Sequence, residues 1–346
     1  MLIDDLKATL AGAPPPVLDL PPIEAPPLHD LIVVVPALPP EREVDEARLL
    51  ELYEARIRET APRRRRETGE FAKAGDEVLV TMAFFHEGKA LAFTAVDREL
   101  LVAGEPWSVP GVGEGLIGAT YEELSSIRTT FPEDHEAAWL RGVTGTWRAR
   151  ILEIDVVSEP DWEAPDLLAQ HGIDLSLDDF MVALREEEIA NMALELKNQA
   201  VEITLDLLRK RAPYTVPREA VEREIYTRWA GHEGRVLLEL GAGESDLNLS
   251  FAAWLRDEAT FADCERRVHV AVILAAIAER DGVTLSREAL QDALDTAAAM
   301  TGATPEAIKA DLKDDPAGRA AFEQDAYHIQ LVDHVLSHAR IRYLEG

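Results

Sequence analysis

The sequence predicts an α+β multidomain protein in which an antiparallel β-module is followed by a long all-α region. Three observations favour this class. Hydrophobic residues alternate with a period of two, between frequent glycines, over residues 75–157, and they recur at helical spacing after residue 165. The length of 346 residues predicts more than one domain. Apolar residues make up 47% of the chain, which is sufficient for sizeable cores.

The N-terminal part is rich in proline up to residue 40, and after that residue its composition changes to one typical of a helix. Proline removes backbone donors and fixes φ, so residues 1–30 are predicted to form a flexible, extended tail. The β-prone run 31–35 predicts a strand, and apolar residues at helical spacing from Val44 predict a helix that ends before Pro62. Residues 31–72 are therefore predicted as a strand followed by an arm helix.

The β-module is predicted over residues 73–157. Glycines separate its hydrophobic segments, as turns between antiparallel strands require, and a short helix is expected near Gly113–Leu116. The predicted strands include Val78–Met82, Leu100–Val102, Ser125–Thr129 and Thr146–Ile154.

The remainder, residues 158–346, is predicted to be helical. Two of its helices have clear start signals, because Ser286 and Thr304 can accept hydrogen bonds from the first free amides and Pro305 fits a first turn. The predicted helices are Leu177–Arg211, Pro217–Glu239, Leu249–Arg280, Ser286–Thr301, Pro305–Lys313 and Ala317–Tyr343.

The charge balance disfavours several partners. With 35 Lys+Arg against 65 Asp+Glu, the formal charge is -30, so nucleic acids and anionic lipid surfaces should repel the chain. No apolar run approaches the roughly 20 residues of a membrane span, and the N-terminus lacks the basic region of a secretory signal. Neither nucleic acid nor membrane is expected as a partner, and the expected location is the cytoplasm.

No metal or cofactor is expected. His328, His334 and His338 share one predicted helix, but no nearby glutamate or cysteine completes a ligand set, so packed or solvated histidines are favoured. Cys264 is the only cysteine and supports neither a disulfide framework nor a zinc cluster. No phosphate-binding glycine loop is present that would indicate a nucleotide.

The only dense basic cluster is Arg63–Arg66. It could contact RNA phosphates or an acidic protein surface. The neighbouring Glu67 and Glu70 favour instead an exposed connector that pairs with the protein's own acids.

Several motifs occur in order and with little gapping in the β-module and beyond. They are Gly75-Asp76-Glu77-Val78-Leu79-Val80, Gly88, Val109-Pro110-Gly111-Val112-Gly113-Glu114-Gly115-Leu116, Thr130-Phe131-Pro132-Glu133-Asp134, Leu140-Arg141-Gly142 and Ala149-Arg150-Ile151-Leu152-Glu153-Ile154. Together they resemble an FKBP-type peptidyl-prolyl isomerase domain of the kind found in trigger factor. The run from Arg266-Arg267-Val268 to Ile273–Ala278 is similar to a helix of the trigger factor C-terminal domain, and the resemblance covers about residues 30–346.

The resemblance implies an FKBP-like antiparallel sheet with a short helix over residues 73–157. It implies an elongated all-α chaperone domain with helical arms over residues 158–346. Members of the family dock on the ribosome through an N-terminal α/β domain with a Gly-Phe-Arg-x-Gly-x-x-Pro loop, and this sequence contains no such stretch. The strand and arm helix resemble the end of that domain, so ribosome binding is not expected.

The resemblance also locates an isomerase cleft. Sites of this type hold the prolyl ring in an aromatic well, which stabilises the twisted imide of the transition state. The corresponding positions here are Met82, Leu91, Phe93, Val109, Val112, Phe131, His135 and Trp147. Because Met82, Leu91, Val112 and His135 replace residues typical of the family, the cleft is predicted to be degenerate, with unknown catalytic residues and weak or absent activity.

Three functions remain open from the sequence. The favoured one is an ATP-independent chaperone, a holdase acting off the ribosome on unfolded or nascent polypeptides. The alternatives are an active FKBP-type prolyl isomerase that assists folding, and a scaffold dedicated to one partner, docked through the proline-rich segment. The predicted client-binding residues are Met192, Leu196, Phe251, Trp254, Leu255 and Phe261. The sequence leaves open whether the chain forms a homodimer.

Overall fold

The computed structural model describes residues 2–12, 20–36, 44–121 and 124–344, which form two compact units. Unit 1 contains the described residues of 1–16, 45–184 and 222–262. Unit 2 contains those of 17–44, 185–221 and 263–346.

Long helices and short strands make up both units, as the predicted α+β class requires. The helices are α1 (Leu2–Leu10), α2 (Glu46–Glu59), α3 (Val112–Leu116), α4 (Leu167–Gln170), α5 (Leu177–Arg211), α6 (Arg218–Trp229), α7 (Arg235–Glu239), α8 (Glu244–Trp254), α9 (Glu258–Asp281), α10 (Arg287–Thr301), α11 (Pro305–Asp314) and α12 (Pro316–Ser337). The strands are β1 (Leu31–Pro36), β2 (Arg63–Arg65), β3 (Glu77–His86), β4 (Lys89–Ala90), β5 (Val96–Val102), β6 (Ser125–Thr130), β7 (Thr144–Val157) and β8 (Ala339–Leu344).

The β-module is one antiparallel sheet built from β2 to β7, and it begins at residue 63, ahead of the predicted start at residue 73, because β2 pairs with β7. Its central pair is β3 and β7, β5 and β4 pair with β3, and β2 and β6 pair with β7. Alternation along β3 sends Met82 and Phe84 into the first core of unit 1, where they meet α3. The opposite face of β3 presents Ala83 and Phe85 to a second core.

Helix α3 lies against β6 with almost no intervening space. A Cβ added at Gly115 would collide with the side chain of Ile127, and one added at Gly113 would collide with the carbonyl oxygen of Glu105. Glycine at position 115 therefore allows the close approach of helix and sheet, and glycine at position 113 allows the loop after β5 to lie against the helix. The expected short helix at Gly113–Leu116 is confirmed.

The second core of unit 1 joins the β-module to α1 and to the chain between α6 and α8. Leu6 of α1 is fully buried in it, together with Trp229, Val236 and Leu237. The prediction of a flexible tail is therefore wrong for residues 2–10, because an amphipathic helix there buries an apolar side chain. The prolines at positions 14–16 lie outside the described residues.

Unit 2 is built around the apolar faces of α5, α9 and α12. Leu28 and Leu31 are buried among them with Leu208, Ile277 and Val335. The carbonyl oxygens of the segment before β1 accept hydrogen bonds from arginines. Arg211 donates to Pro27, His29 and Asp30, and Arg280 donates to Pro26. Residues 20–30 thus have an ordered place, because guanidinium groups satisfy backbone acceptors that lack regular partners.

Strand β8 was not predicted. It pairs with β1 in a parallel, two-stranded sheet in which Leu31 lies opposite Ala339 and Val35 opposite Tyr343. The prediction of helix as far as Tyr343 is therefore wrong beyond α12, which ends at Ser337. The predicted strand at residues 31–35 is confirmed.

The helical region between Leu177 and Ser337 follows the sequence signals in part: the predicted helix Leu249–Arg280 is two helices, α8 and α9, and Pro217–Glu239 is interrupted by a π-helical turn. Ser286 caps α10 by accepting from the amide of Ala289, Thr304 caps α11 before Pro305, and Gly302 ends α10 in the left-handed conformation. The predicted all-α domain of 158–346 does not coincide with one compact unit, since residues 222–262 pack with the β-module. Among the helices of the described chain, none has the length and apolar character needed to cross a bilayer.

Candidate functional site

An aromatic cluster occupies the first core of the β-module. Phe84 of β3 contacts Phe131 edge-on at 4.8 Å and Trp147 of β7 at 5.3 Å between ring centroids. All three side chains are at most 3% exposed. The rings therefore pack against one another and leave little of their surface for a ligand.

Two partly exposed rings flank this cluster. Trp107 meets Trp147 edge-on at 5.5 Å and donates its indole N–H to Glu99 at 3.0 Å. His135 meets Phe131 at 5.0 Å. These two rings form the accessible margin of the cluster, and the buried indole N–H of Trp147 has no acceptor within the described residues.

Seven of the eight predicted cleft residues are brought together here. Met82, Val109 and Val112 are buried in the same core, and Leu91 and His135 pack at its edge beside Phe131 and Trp147. Phe93 is the exception, because it stacks on Trp254 outside this core. The prediction omitted Phe84 and Trp107, although Phe84 shares a strand face with Met82 and was recognisable from the alternation along β3.

A second arrangement centres on Glu233, which lies in a π-helical turn, Ala230–Gly234, between α6 and α7. Its side chain is only 1% exposed. One carboxylate oxygen accepts from the amide of Phe93 at 2.7 Å and from the indole N–H of Trp254 at 2.9 Å, and the other accepts from the hydroxyl of Ser250. The π-helical turn thus directs a buried carboxylate at three donors from two segments, the loop at Phe93 and helix α8.

The surroundings of Glu233 hold those donors in place. Ser250 accepts from the indole N–H of Trp229 at 2.8 Å, so its own proton is left for the carboxylate. Phe93 adopts a left-handed φ of 62° and stacks on Trp254 with centroids 5.2 Å apart. Burial raises the pKa of Glu233, and the hydrogen bonds from Ser250, Trp254 and Phe93 only partly oppose this rise.

The predicted client-binding residues belong to two different units. Phe251 packs on Trp229 at 5.1 Å and on Tyr226 at 5.6 Å, and Trp254 stacks on Phe93, so both use their apolar faces inside unit 1. Leu255 and Phe261 are half-buried in unit 1 as well. Met192 and Leu196 are half-buried on α5 in unit 2. Apolarity alone did not distinguish internal contacts from surface contacts.

An apolar groove lies between α10 and α12 in unit 2, with a volume of about 440 Å³. Met300 and Ile329 line it and are 82% and 56% exposed. Phe322 and a row of alanines on α10 contribute further apolar surface. The acidic residues Glu288, Asp292, Asp325 and Asp333 border the groove. No residue of the groove is predicted from the sequence to bind a ligand or client, because alanines and acids on α10 have the pattern of an ordinary solvated helix.

The basic cluster Arg63–Arg66 is neutralised by carboxylates of the β-module. Arg63 binds Glu77 at 2.7 Å, Arg64 binds Glu70 at 3.4 Å, and Arg65 binds Glu153 at 2.6 Å. This confirms that the cluster pairs with the protein's own acids, but the prediction of an exposed connector is wrong, because Arg63–Arg65 form strand β2 against β7 and Arg66 is buried.

The fourth member, Arg66, is buried with Asp76 and donates to both of its carboxylate oxygens, at 2.6 and 2.9 Å. Burial opposes ionisation of Asp76, but the Arg66 guanidinium and the amide of Lys73 outweigh it and lower the pKa of that carboxyl.

Comparisons with known proteins agree with the resemblance seen in the sequence. Residues 176–337 match the family model of the bacterial trigger factor protein C-terminus. Trigger factor from Mesorhizobium japonicum is 30% identical over 264 residues, which cover 74% of this chain and 49% of that protein. Trigger factor from Hyphomonas neptunium is 24% identical over 282 residues, covering 80% and 61%. Trigger factor from Novosphingobium aromaticivorans is 27% identical over 330 residues, covering 93% and 61%.

A solved structure from work on substrate recognition by the trigger factor chaperone covers 91% of this chain and 73% of its own, at 21% identity and with a TM-score of 0.30. The chain spans between 49% and 61% of the length of the three relatives named above.

An antiparallel β-module combined with long, capped helices places the chain among α+β multidomain proteins. The sequence matches then narrow this class: over 74–93% of its length this chain is similar to trigger factors, and residues 176–337 match the C-terminal model of that family.

Proposed function

We propose that the chain is an ATP-independent chaperone of the trigger factor type that holds apolar segments of non-native polypeptides. The observation that carries this proposal is the groove between α10 and α12, which leaves Met300 82% exposed beside Ile329 at 56%. Such a concave apolar surface on a folded protein is typical of an interaction site. Its position inside the matched C-terminal region supports the same conclusion.

The chemistry of the groove suits clients of varied sequence. Methionine is unbranched and polarizable, so it adapts to side chains of different shape. The alanines of α10 have small side chains, so they leave space in the groove for a bulky client side chain. Hydrophobic burial needs no nucleotide, so binding and release would follow the affinity of each client segment alone.

The acidic surface supports this function in a second way. A chaperone that exposes apolar surface risks associating with itself, and a net charge of -30 opposes such association. Glu288, Asp292 and Asp325 border the groove and form no ion pair within the described chain. Like-charge repulsion between two such rims disfavours pairing of grooves from two copies.

Prolyl isomerase activity is proposed to be weak. An isomerase well must accept a prolyl ring, whereas Phe84, Phe131 and Trp147 are almost fully buried against one another. The exposed margin at Trp107 and His135 could contact a peptide without enclosing its proline. Binding without enclosure gives little selective stabilisation of the twisted imide.

The test is suppression of aggregation of a refolding client by the full chain, measured by light scattering with and without ATP. Substituting Met300→Ser together with Ile329→Ser should lower client affinity more than tenfold, because each buried aliphatic side chain is worth about 1.5–3 kcal/mol. Leu194→Ser on α5 is the matched control, since Leu194 is 55% exposed but does not line the groove.

Three outcomes are informative. Protection by the wild-type chain that is lost only in the groove variant supports the proposal. Equal protection by the groove variant and the control would show that clients bind outside the groove. No protection at a several-fold molar excess of the wild-type chain would overturn the chaperone function and favour a scaffold dedicated to one partner.

A further inference from the structure

A second concavity, of about 590 Å³, lies in the β-module where β3, β6 and β7 meet, on the sheet face opposite the aromatic cluster. Its lining is polar and includes three basic side chains, Arg128 of β6, Arg148 of β7 and His86 at the end of β3. The hydroxyl residues Ser126, Thr144 and Thr146 complete much of the wall. This concavity is separate from the groove of unit 2 and does not depend on it.

The strand register places the two arginines as diagonal neighbours. Arg128 lies opposite Thr146, and Arg148 lies opposite Ser126, so both guanidinium groups project from one face of the sheet. Diagonal partners on an antiparallel pair have Cβ atoms about 7–8 Å apart, which long side chains bridge easily. Two positive charges held at this spacing repel each other unless an anion lies between them.

Neither arginine has a carboxylate partner within the described chain, in contrast with Arg63–Arg66. The Arg148 guanidinium lies over the ring of Phe85, 3.9 Å from its centroid. This cation–π contact uses the face of the guanidinium and leaves its N–H edge for hydrogen bonds. The side chain is therefore held in place without being neutralised.

The ring of His86 is held in a fixed orientation by a hydrogen bond to the backbone. Its Nδ1 lies 2.8 Å from the carbonyl oxygen of Thr144, and because a carbonyl only accepts, Nδ1 carries the proton. The other ring nitrogen, Nε2, carries a lone pair in the neutral ring, so His86 shapes the wall of the concavity while the arginines and hydroxyls supply the donors. Glu87 is the one acidic residue of the lining, and it lies exposed on the turn between β3 and β4, where φ is 50°.

We propose that this concavity is an oxyanion-binding site that takes a carboxylate or phosphate group presented by a polypeptide segment. Guanidinium groups bind both anions through paired N–H donors, and the surrounding hydroxyls can donate to the remaining oxygen atoms. The site would give the chain a means of holding acidic segments, which its overall charge otherwise repels.

The experiment is titration of the full chain with three peptides of one sequence, carrying glutamates, phosphoserines or glutamines at the same positions, by calorimetry at low salt. We expect both anionic peptides to bind and the glutamine peptide to bind at least tenfold more weakly. Arg128→Gln with Arg148→Gln should reduce anionic binding at least tenfold. Glu87→Gln should strengthen it two- to threefold by removing a like charge.

Arg185→Gln, at an exposed position of α5, is the matched control and should leave binding unchanged. Arg128→Gln alone tests the site if loss of the Phe85 contact unfolds the double variant, because Arg128 is exposed. Tighter binding of the phosphoserine peptide identifies phosphate as the preferred group, and equal or tighter binding of the glutamate peptide identifies carboxylate. Equal binding of all three peptides, or full anionic binding by Arg128→Gln in a folded chain, would overturn the proposal.

Discussion

Replacement of Glu233 tests whether the buried carboxylate holds unit 1 together through hydrogen bonds or through charge. In Glu233→Ala, the donors from Phe93, Trp254 and Ser250 lose their acceptor in a buried setting. Each unsatisfied buried donor costs about 1–3 kcal/mol, and partial relaxation brings the expected loss to about 3–5 kcal/mol. This would be a large part of the stability of an ordinary domain.

Glu233→Gln should be far milder. The amide oxygen can accept from Phe93 and Trp254 as the present carboxylate oxygen does, and the amide nitrogen can donate to Ser250. Ser250 then accepts from both the amide and Trp229. The expected change in the free energy of unfolding is within about 1 kcal/mol at acidic pH, because a protonated Glu233 also donates to Ser250 and so makes the same set of hydrogen bonds as the glutamine amide.

The two side chains should diverge as pH rises. Because burial raises the pKa of Glu233 above its ordinary value of 4.5, the folded state holds that proton more tightly than the unfolded state. The stability contributed by the protonated group is fully present below pH 4.5 and is lost as pH rises through the raised value. Wild type should therefore become less stable relative to Glu233→Gln as pH rises above 4.5.

The assay is urea unfolding followed by tryptophan fluorescence at several pH values, since Trp229 and Trp254 lie at the site. Glu136→Gln, at an exposed position of unit 1, serves as the control and should follow wild type throughout. The reasoning fails if Glu233→Ala unfolds within 1 kcal/mol of wild type. A stability difference between wild type and Glu233→Gln that is independent of pH would refute the linkage to burial.

Three further outcomes are expected. In a protease-coupled assay on X-Pro peptides, turnover should stay near the uncatalysed rate, and rates comparable to an ordinary FKBP-type enzyme would contradict the filled aromatic cluster. Asp76→Asn should destabilise the chain by about 3–5 kcal/mol at pH 7, because it leaves the buried Arg66 with only Glu70, at 3.7 Å, as a carboxylate partner. Since the pKa of Asp76 is lowered, thermal melting should show this difference shrinking below pH 3.8, and a constant difference would exclude the ion pair as its cause. Arg64→Ala with Arg65→Ala should leave co-sedimentation with ribosomes unchanged at low salt, because both side chains already pair with acids, and a clear loss would show that these pairs open.

The helices and the antiparallel module were predictable because their signals are local. Ser286, Thr304 and Gly302 mark helix ends within a few residues, and alternation along β3 identifies both sheet faces. Strand β8 had a usable signal as well, since Arg340 and Arg342 alternate with apolar residues. Its pairing with β1 has no local signature, because the two strands are about 300 residues apart.

The site residues also divide into those with a local sequence signal and those whose contacts depend on distant segments. Most of the predicted cleft residues do meet, since they follow motifs of contiguous chain in the β-module. Glu233 was missed because an acidic residue in a helix has the pattern of a solvated position, and its donors come from Phe93, Ser250 and Trp254. The sequence predicts Trp254 as a client-binding residue, because it gives no indication that the ring of Phe93 stacks on the indole.

The pairing of β1 with β8 sets an order in which the chain can fold. The β-module comes from one continuous stretch, so its sheet can form early from nearby segments. Unit 2 instead needs residues near 31 and near 339 in the same small sheet, and closing so long a loop is entropically costly until the intervening helices are in place. Leu31, Val33 and Val35 are fully buried in the folded unit. Until β8 has been synthesised and pairs with β1, the backbone edge of β1 would stay unpaired and could associate with other strands. During its own synthesis this chain would thus pass through a stage in which it resembles the clients that it is proposed to hold.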